Sequence, residues 1–453
     1  MRKLFAFLFF ALFLAPAPLG ARSFSRGRIV VHPGGRYLQY ADGRPFFYLG
    51  DTAWEIFHRL NREEMAHYFE QRVRQGFNAV QGVALAELEG LTVPNTYGRL
   101  PLKFTDDAPD PARPDTDGAY SYWDHVDYAV ELAAQHGMFI TLLPTWGDKF
   151  NLCWGKGPEV FDEENAYLYG KWIGARYARH WNILWMLGGD RPLEEKHRRI
   201  LDKMARGILE SDKNHLITFH PNGTHNSTEC LNDADYLSFH TAQTGHDVQQ
   251  CYESDKVMRR MAEASGKPYM DFEPRYEDHP ACFNDQIGYF WNADDVRQNA
   301  YWNLMAGVCG HTYGNHSIWS MTKAPSSYFP FSWTEALRHP GAEQMGFVKK
   351  LRLSHDFASF RHAPELIATE LYGMGHLAAA RGRDYGCVYS PLGLPFAVNL
   401  SVFTGSDKLR ASWFDPRTGE SAVFAIFPNK GRTTVVPPAQ GKGCDWVLVL
   451  EEA

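Results

Sequence analysis

Two acidic residues of this chain, Asp190 and Glu273, stand where a pair of carboxyl groups could do chemistry. Asp190 follows the apolar run 183–187 and two glycines, and Glu273 closes the segment 269–272. The glycines let the backbone approach a bound ligand closely. Cleavage of a glycosidic bond needs one protonated carboxyl group and one carboxylate near the anomeric carbon. The pair therefore predicts glycoside hydrolysis, provided that the fold brings the two side chains together.

The elements that must position them alternate between short apolar runs and amphipathic helices. The repetition predicts an α/β fold, a (β/α)8 TIM barrel over residues 29–360, preceded by a hairpin at the Asp42-Gly43 turn. The predicted strands are Phe46–Trp54, Phe77–Val83, Phe139–Trp146, Asn182–Asp190, His215–Gly223, Tyr236–Thr244, Pro268–Tyr276 and Gly310–Trp319. The clearest predicted helices are Arg62–Gln75, Trp123–His136, Lys196–Leu209 and Asp255–Ala264.

The active site of such a barrel lies at the C-terminal ends of its strands. Asp190 then closes the fourth strand and Glu273 the seventh, an arrangement that many retaining barrel glycosidases share. We therefore expect Asp190 to be the acid/base and Glu273 the nucleophile. Asp148 is a rival for the acid, and Asp271 remains a rival or a modulator because it shares a strand face with Glu273.

Other strand ends carry polar and aromatic side chains that suit sugar hydroxyl groups and sugar rings. Asp51 could equally be a helix cap. The residues expected to bind substrate are Asp51, Trp54, Gln81, Trp146, Asp148, Asn222, His240, Gln243, Tyr313 and Trp319.

Composition and motifs exclude several other classes of function. A formal net charge of −7 does not favour a nucleic-acid binder. The histidines at strand ends, 220, 240 and 316, lack local ligand spacing, so no metal is expected. Without a GxGxxG motif, a P-loop or a GxSxG elbow, the sequence predicts no cofactor and no serine nucleophile. The expected partner is a carbohydrate, an oligo- or polysaccharide.

The N-terminus predicts export. Arg2 and Lys3 precede the apolar run 4–14, and small residues follow up to Ala21, as in a secretory signal over residues 1–21. No later segment is expected to span a membrane, so a secreted or periplasmic protein is predicted. Of the seven cysteines, Cys230–Cys251 and Cys387–Cys444 are the first disulfide candidates.

A change of pattern after residue 360 marks a second domain. From Leu371 onward, short alternating segments are separated by turns such as 415–419 and 428–431, with no helical stretch. This pattern predicts a small antiparallel β-sandwich over residues 361–453. No low-complexity linker separates the two parts, so they should pack directly against each other.

Four segments together resemble the apiosidase-like glycoside hydrolases of family 140: 47–54 (FYLGDTAW), 76–81 (GFNAVQ), 187–190 (LGGD) and 313–315 (YGN). The resemblance covers residues 29–360, and the C-terminal part is similar to the β-domain, labelled collagen-binding, that follows the barrel in that family. It implies removal of apiose from galacturonic acid in the pectin rhamnogalacturonan II, with Asp190 and Glu273 as the catalytic pair. The alternatives are a carbohydrate-binding barrel without catalysis and a protein-binding role of the C-terminal domain.

Overall fold

The computed structural model describes residues 27–246 and 254–453. The expected signal sequence over residues 1–21 lies outside these ranges, as does Cys251 of the first disulfide candidate. Within the described ranges, no helix is both long enough and apolar enough to cross a membrane.

Eight parallel strands form the barrel that the sequence predicts. Six share one curled sheet in the order fifth, fourth, third, second, first, eighth, and the sixth and seventh pair with each other. Ser238 N donates to Ile217 O (2.8 Å) and Cys309 N to Tyr269 O (3.0 Å), which joins this pair to the fifth and eighth strands. The eight strands are Tyr48–Thr52, Ala79–Leu85, Phe139–Thr145, Ile183–Gly188, Ile217–His220, His240–Ala242, Tyr269–Asp271 and Gly310–Tyr313.

Helices surround the barrel, and several begin at side-chain caps that the sequence supplies. Asn61 Oδ1 accepts from Glu64 N (2.8 Å), and Ser121 Oγ accepts from Asp124 N (3.2 Å). All four helices predicted from the sequence are present within two residues. The helices are Ile56–Arg59, Arg62–Arg74, Tyr122–Gln135, Glu163–Tyr177, Glu195–Ser211, Ser227–Cys230, Ser254–Ala264, Ala293–Met305, His316–Trp319, Trp333–Ala336 and Pro340–Leu353, with 3-10 turns at Gly147–Lys149, Ala281–Phe283 and Asp285–Ile287.

Two hairpins lie outside the barrel. The hairpin expected at Asp42-Gly43 is confirmed, because Leu38–Tyr40 pairs with Pro45–Phe46, and Ile29–Val31 adds a third strand. The second hairpin pairs Leu102–Thr105 with Ala108–Pro114 and was not expected. Its turn uses two consecutive aspartates, 106 and 107, in the left-handed region at φ 49° and 64°.

The barrel has an inner core and an outer core. Side chains of alternate strand positions, such as Val83, Leu143 and Met186, fill the barrel interior. Tyr48 and Thr141 join hydroxyl groups there at 2.8 Å, which satisfies both polar atoms away from water. A larger apolar layer lies between the strands and the helices. The interior is therefore filled, and ligands can enter only at its ends.

The C-terminal domain is the predicted antiparallel β-sandwich, with one sheet of six strands and one of two. The large sheet has the order Arg361–His362, Ala378–Arg381, Tyr385–Ser390, Trp446–Glu452, Lys408–Phe414, Ser421–Pro428. The small sheet pairs Phe396–Asn399 with Arg432–Val435, and the 3-10 turns are Pro364–Leu366, Gly373–Gly375 and Leu400–Val402. Buried side chains between the sheets form their own core.

This domain packs against the barrel helix Ala293–Met305. The guanidinium of Arg297 pairs with the Asp445 carboxylate at 2.5 Å and 2.9 Å, and both residues are buried. The rings of Tyr301 and Tyr389 stack with centroids 5.1 Å apart. The two domains therefore pack directly against each other, as the sequence predicts.

The second disulfide candidate is wrong, because Cys387 and Cys444 are both free thiols. In the sheet register Cys387 faces Val449, whereas Cys444 lies before Trp446, where the last strand begins. The two cysteines are thus separated by more than three residues of strand, about 10 Å. A disulfide requires Cα atoms within about 7 Å.

Candidate active site

The expected site is a cavity of about 420 Å³ at the C-terminal ends of the barrel strands. Both Asp190 and Glu273 lie in its wall. The residues that line it are Trp54, Glu87, Trp146, Trp154, Asp190, Asn222, Gly223, Thr224, Gln243, Gly245, His246, Glu273, Tyr276, His279, Phe283, His316, Trp319 and Tyr328.

A glycine turn carries Asp190 from the fourth strand to this cavity. Gly188, Gly189 and Asp190 all have positive φ, at 94°, 123° and 51°. A Cβ atom at Gly189 would lie 2.6 Å from the backbone nitrogen of Gly147, inside van der Waals contact. Only glycine fits this position, since neither the backbone angle nor the space admits a side chain. The turn lets the chain leave the strand sharply and place the Asp190 carboxyl group at the cavity wall.

The Asp190 carboxyl group is held from three sides. Its Oδ1 accepts from Gly223 N at 3.1 Å, and its Oδ2 accepts from Trp154 Nε1 at 3.3 Å and lies 3.4 Å from Arg191 Nη1. Burial, and then the negative charge of Glu273, raise the pKa of Asp190 above its ordinary value. A raised pKa favours the protonated form that a general acid needs.

Glu273, beyond the end of the seventh strand, faces two histidines. His220 Nε2 lies 2.9 Å from Oε2, and His246 Nε2 lies 3.2 Å from Oε1. Burial alone would raise the pKa of Glu273, but the hydrogen bonds and charges of these histidines outweigh it and hold the pKa below its ordinary value. His220 Nδ1 donates to Pro221 O at 2.9 Å, which fixes the ring orientation. Glu273 is therefore poised as an ionised carboxylate.

The two carboxyl groups thus share one cavity and have their pKa values moved in opposite directions. Such a pair matches the division between acid and nucleophile in glycoside hydrolysis. The two rivals are engaged elsewhere. Asp148 accepts from the backbone nitrogens of Lys156 (3.1 Å) and Gly157 (2.9 Å), and Asp271 accepts from Thr244 Oγ1 at 2.6 Å. Neither rival lies in the cavity wall.

Indole and phenol rings form much of the remaining wall. Trp54 and Trp146 pack with ring centroids 5.0 Å apart, and both contact the ring of His220, which faces Glu273. The loop after the third strand contributes Trp154, and the short helix after the eighth strand contributes Trp319. Flat apolar faces beside hydrogen-bonding groups suit the faces and hydroxyl groups of a sugar ring.

The sequence of the chain matches known protein families. Residues 32–359 match the model of the apiosidase-like catalytic domain. The chain belongs to the apiosidase-like family. Residues 364–451 of this apiosidase-like chain match a second family model, which is described as a collagen-binding domain of a collagenase. No curated protein matches the sequence.

Solved structures that resemble the apiosidase-like chain over its whole length are glycoside hydrolases. A glycoside hydrolase family 5 protein from Bacteroides vulgatus ATCC 8482 is 32% identical with a TM-score of 0.83, and covers 94% of this chain and 93% of its own. A second structure, described as a glycoside hydrolase, is 31% identical with a TM-score of 0.85, at 95% and 98% coverage. The chain is a glycoside hydrolase by family and by fold, and its expected substrate is a carbohydrate.

The substrate-binding residues expected from the sequence divide into two groups. Five lie in the cavity wall of this apiosidase-like barrel: Trp54, Trp146, Asn222, Gln243 and Trp319. The other five lie outside the wall and are almost fully buried: Asp51, Gln81, Asp148, His240 and Tyr313.

The five outside the wall make structural contacts instead of facing a ligand. Asp51 accepts from Arg72 Nε at 2.6 Å and from Tyr68, and it is no helix cap. In the barrel interior, Gln81 donates to Thr312 Oγ1 at 3.0 Å. The remaining contacts join Asp148 to Lys149, His240 to Ser227 and Tyr313 to Glu277.

Several residues of the cavity wall were missed because they lie in loops beyond the strands. Glu87 follows the second strand, and His246 follows the sixth. A third, His279, stacks on His246 with ring centroids 4.1 Å apart. The signal was a concentration of acidic, histidine and aromatic residues in these loops, which carry the active sites of barrel enzymes.

In residues 27–246 and 254–453, no group of three His, Cys, Asp or Glu side chains could hold a metal ion.

Proposed function

We propose that the protein hydrolyses a glycosidic bond with retention of anomeric configuration. The observation that carries the proposal is the pair of carboxyl groups in one cavity, Asp190 with a raised pKa and Glu273 with a lowered one. In the first step Glu273 attacks the anomeric carbon, and Asp190 gives its proton to the departing oxygen. In the second step Asp190 takes a proton from water, which hydrolyses the glycosyl–enzyme ester and frees Glu273.

The residues around the pair support these roles. The close contact with His220 and the hydrogen bond with His246 hold the Glu273 carboxylate in one orientation for attack. Gly223 N and Trp154 Nε1 orient Asp190, and as donors they also stabilise the carboxylate left after proton transfer. The cavity size of about 420 Å³ falls in the range of small-ligand sites.

We infer that the sugar cleaved is apiose, from rhamnogalacturonan II side chains. The support is the family match over residues 32–359 and the aromatic wall of the cavity. An oligosaccharide screen that includes these side chains tests the substrate. Release of another sugar would overturn apiose and leave glycoside hydrolysis intact.

The catalytic assignment is tested with Asp190→Asn and Glu273→Gln beside wild type. Each variant should lose activity by several orders of magnitude while it still binds the oligosaccharide. NMR should show that the first sugar product has the same anomeric configuration as the substrate. Near wild-type activity in either variant, or the inverted anomer, would contradict the mechanism, and binding without hydrolysis by wild type would indicate a carbohydrate-binding barrel.

We also propose that the protein is exported, secreted or delivered to the periplasm, because residues 1–21 have the charged, apolar and small-residue regions of a secretory signal. Cell fractionation after expression of the full chain should find the protein outside the cytoplasm, with the N-terminal segment cleaved off near residue 21. Retention in the cytoplasm at full length would refute this proposal.

A further inference from the structure

A second cavity, of about 570 Å³, lies at the other end of the barrel. Its wall comes from the segments 35–37, 259–269, 306–308 and 352–364. Tyr269 begins the seventh barrel strand, and Val308 precedes the eighth, Gly310–Tyr313. The cavity is therefore at the N-terminal ends of these strands, opposite the candidate active site, where residues 357–364 lead into the C-terminal domain. Catalysis does not explain a cavity at this end of a barrel.

The charge of this wall is strongly positive. Among the described residues, the wall has five cations and one carboxylate, which belongs to Glu263; the cations are Arg36, Arg259, Lys267, Arg352 and Arg361. Arg361 pairs with Glu365 at 3.0 Å, and Arg259 lies 3.8 Å from Asp255. In the described part of the chain, Arg352 has no carboxylate at ion-pair distance. The cavity therefore has more positive than negative charge in its described wall, and Arg352 has no ion-pair partner there.

Arg352 is the deepest of these cations, with only 5% of its surface exposed. Its Nη2 donates to Phe357 O at 2.6 Å. Its Nε and Nη1 are buried without a hydrogen-bond partner among residues 27–246 and 254–453. The guanidinium lies over the rings of Phe357 and Phe360, at 3.6 Å and 4.3 Å from their centroids. The rings hold the guanidinium plane in place and accept no conventional hydrogen bond.

An unpaired buried guanidinium is costly. Burial lowers the pKa of Arg352 to about 10, yet the group stays charged at neutral pH. A buried charge of this kind is usually paired, or its donors bind a ligand. The free N–H groups of Nε and Nη1 point from different edges of the guanidinium, and each can donate to an oxygen of a carboxylate or phosphate.

The rest of the wall adds donors and ring faces. Arg259 Nε and His362 Nε2 are also buried with no partner among the described residues. Tyr37 packs its ring edge-to-face on Phe357, with centroids 5.3 Å apart, and lines the cavity together with Phe360. Aromatic faces beside cationic donors suit a small ring compound that carries an acidic group.

We propose that this cavity binds a small organic anion, whose carboxylate or phosphate accepts a hydrogen bond from a free N–H group of Arg352 and whose body lies against the aromatic wall. Arg36 and Arg361, exposed at the rim, attract the anion. The site is separate from the glycosidase cavity, and the proposal does not depend on the chemistry of that cavity.

Isothermal titration calorimetry of the full chain tests the site with three probes: glucuronate, inorganic phosphate and neutral glucose. We expect glucuronate or phosphate to bind, and glucose not to bind at this site. Binding of glucuronate alone identifies carboxylate sugars as the ligand class, and binding of phosphate identifies phosphate esters. Each titration is repeated on Glu273→Gln, where binding at the second cavity should be unchanged. No anion binding at millimolar concentrations would overturn the proposal.

Arg352→Met removes the two donors and should weaken anion affinity by at least about tenfold. The exposed Arg383, outside the cavity, provides the control, and Arg383→Gln should bind as wild type does. If Arg352→Met does not fold, Arg36→Gln combined with Arg361→Gln replaces it, since both side chains are exposed, and should weaken binding several-fold. Equal affinity in the cavity variants and in Arg383→Gln would refute the site.

Discussion

Replacing Gly189 by alanine tests how the fold aims the acid. The added Cβ would lie 2.6 Å from Gly147 N, whereas ordinary contact begins at 3.4 Å, so the turn must shift by up to about 0.8 Å. The φ angle of 123° adds strain of about 1–3 kcal/mol, because side chains rarely adopt it. The Asp190 carboxyl group, one residue further, should move by a comparable distance.

A displacement of about 1 Å can cost roughly 100-fold in rate. We therefore expect Gly189→Ala to lower kcat by about 10- to 100-fold, which corresponds to about 1.4–2.7 kcal/mol in the activation free energy. KM should change less than kcat, because Trp54 and Trp319 stay in place, while only the Trp146 ring, 2.9 Å from the added Cβ, must shift with the turn. The assay is initial-rate kinetics on the oligosaccharide identified by the screen, well below the melting temperature of the variant.

The control is Gly43→Ala in the N-terminal hairpin. Gly43 also has a positive φ, 89°, but a Cβ atom there meets nothing within 4 Å. It reproduces backbone strain without displacing the site, so its melting temperature should fall and its kcat should not. A Gly189→Ala enzyme with wild-type kcat would refute the argument that this glycine positions the Asp190 carboxyl group.

Three further predictions concern the pH profile and the domain interface. Activity should fall as pH drops through the low pKa of Glu273, because Glu273 must be ionised to act as nucleophile. It should also fall as pH rises through the raised pKa of Asp190, because Asp190 must be protonated to act as acid. A pH profile without these two limbs contradicts the proposed roles of the two residues. His246→Leu removes a hydrogen bond to Glu273, so the pKa of Glu273 should rise and the acidic limb of the pH profile should move to higher pH. Arg297→Met leaves Asp445 buried and unpaired and should destabilise the fold by about 3–5 kcal/mol in thermal or urea unfolding, whereas Arg297→Met with Asp445→Leu should recover most of that loss.

The barrel could be predicted because its information is local. Each parallel strand is an apolar run buried on both faces, and each crossover helix has its own cap and apolar face. The hairpin of Leu102–Thr105 and Ala108–Pro114 was missed because its strands are polar and proline-rich, with no apolar alternation. Its aspartate turn, at 106 and 107, does not follow the common Asp-Gly pattern.

The meeting of Asp190 and Glu273 in one cavity could be predicted from their positions in the chain, but the full set of residues in the cavity wall could not. Being at a strand end brings a residue to the correct end of the barrel without deciding which way its side chain points. Asp51 faces Arg72 and Tyr68 on the helix side, while Trp54, three residues later, faces the cavity. Side-chain direction is decided by neighbours that are distant in sequence.

The sequence by itself determined the eightfold strand–helix order, the glycine turn before Asp190 and the place of Glu273 just after the seventh strand, since each depends on a few consecutive residues. Only the tertiary structure decided the opposite pKa shifts of the pair, because the histidines at Glu273 come from the end of the fifth strand and from the loop after the sixth. It also decided the charged cavity at the far end. In the sequence Arg352 is an ordinary arginine near the end of a helix. Only in the folded chain does it lie against phenylalanine rings, with no carboxylate of the described residues beside it.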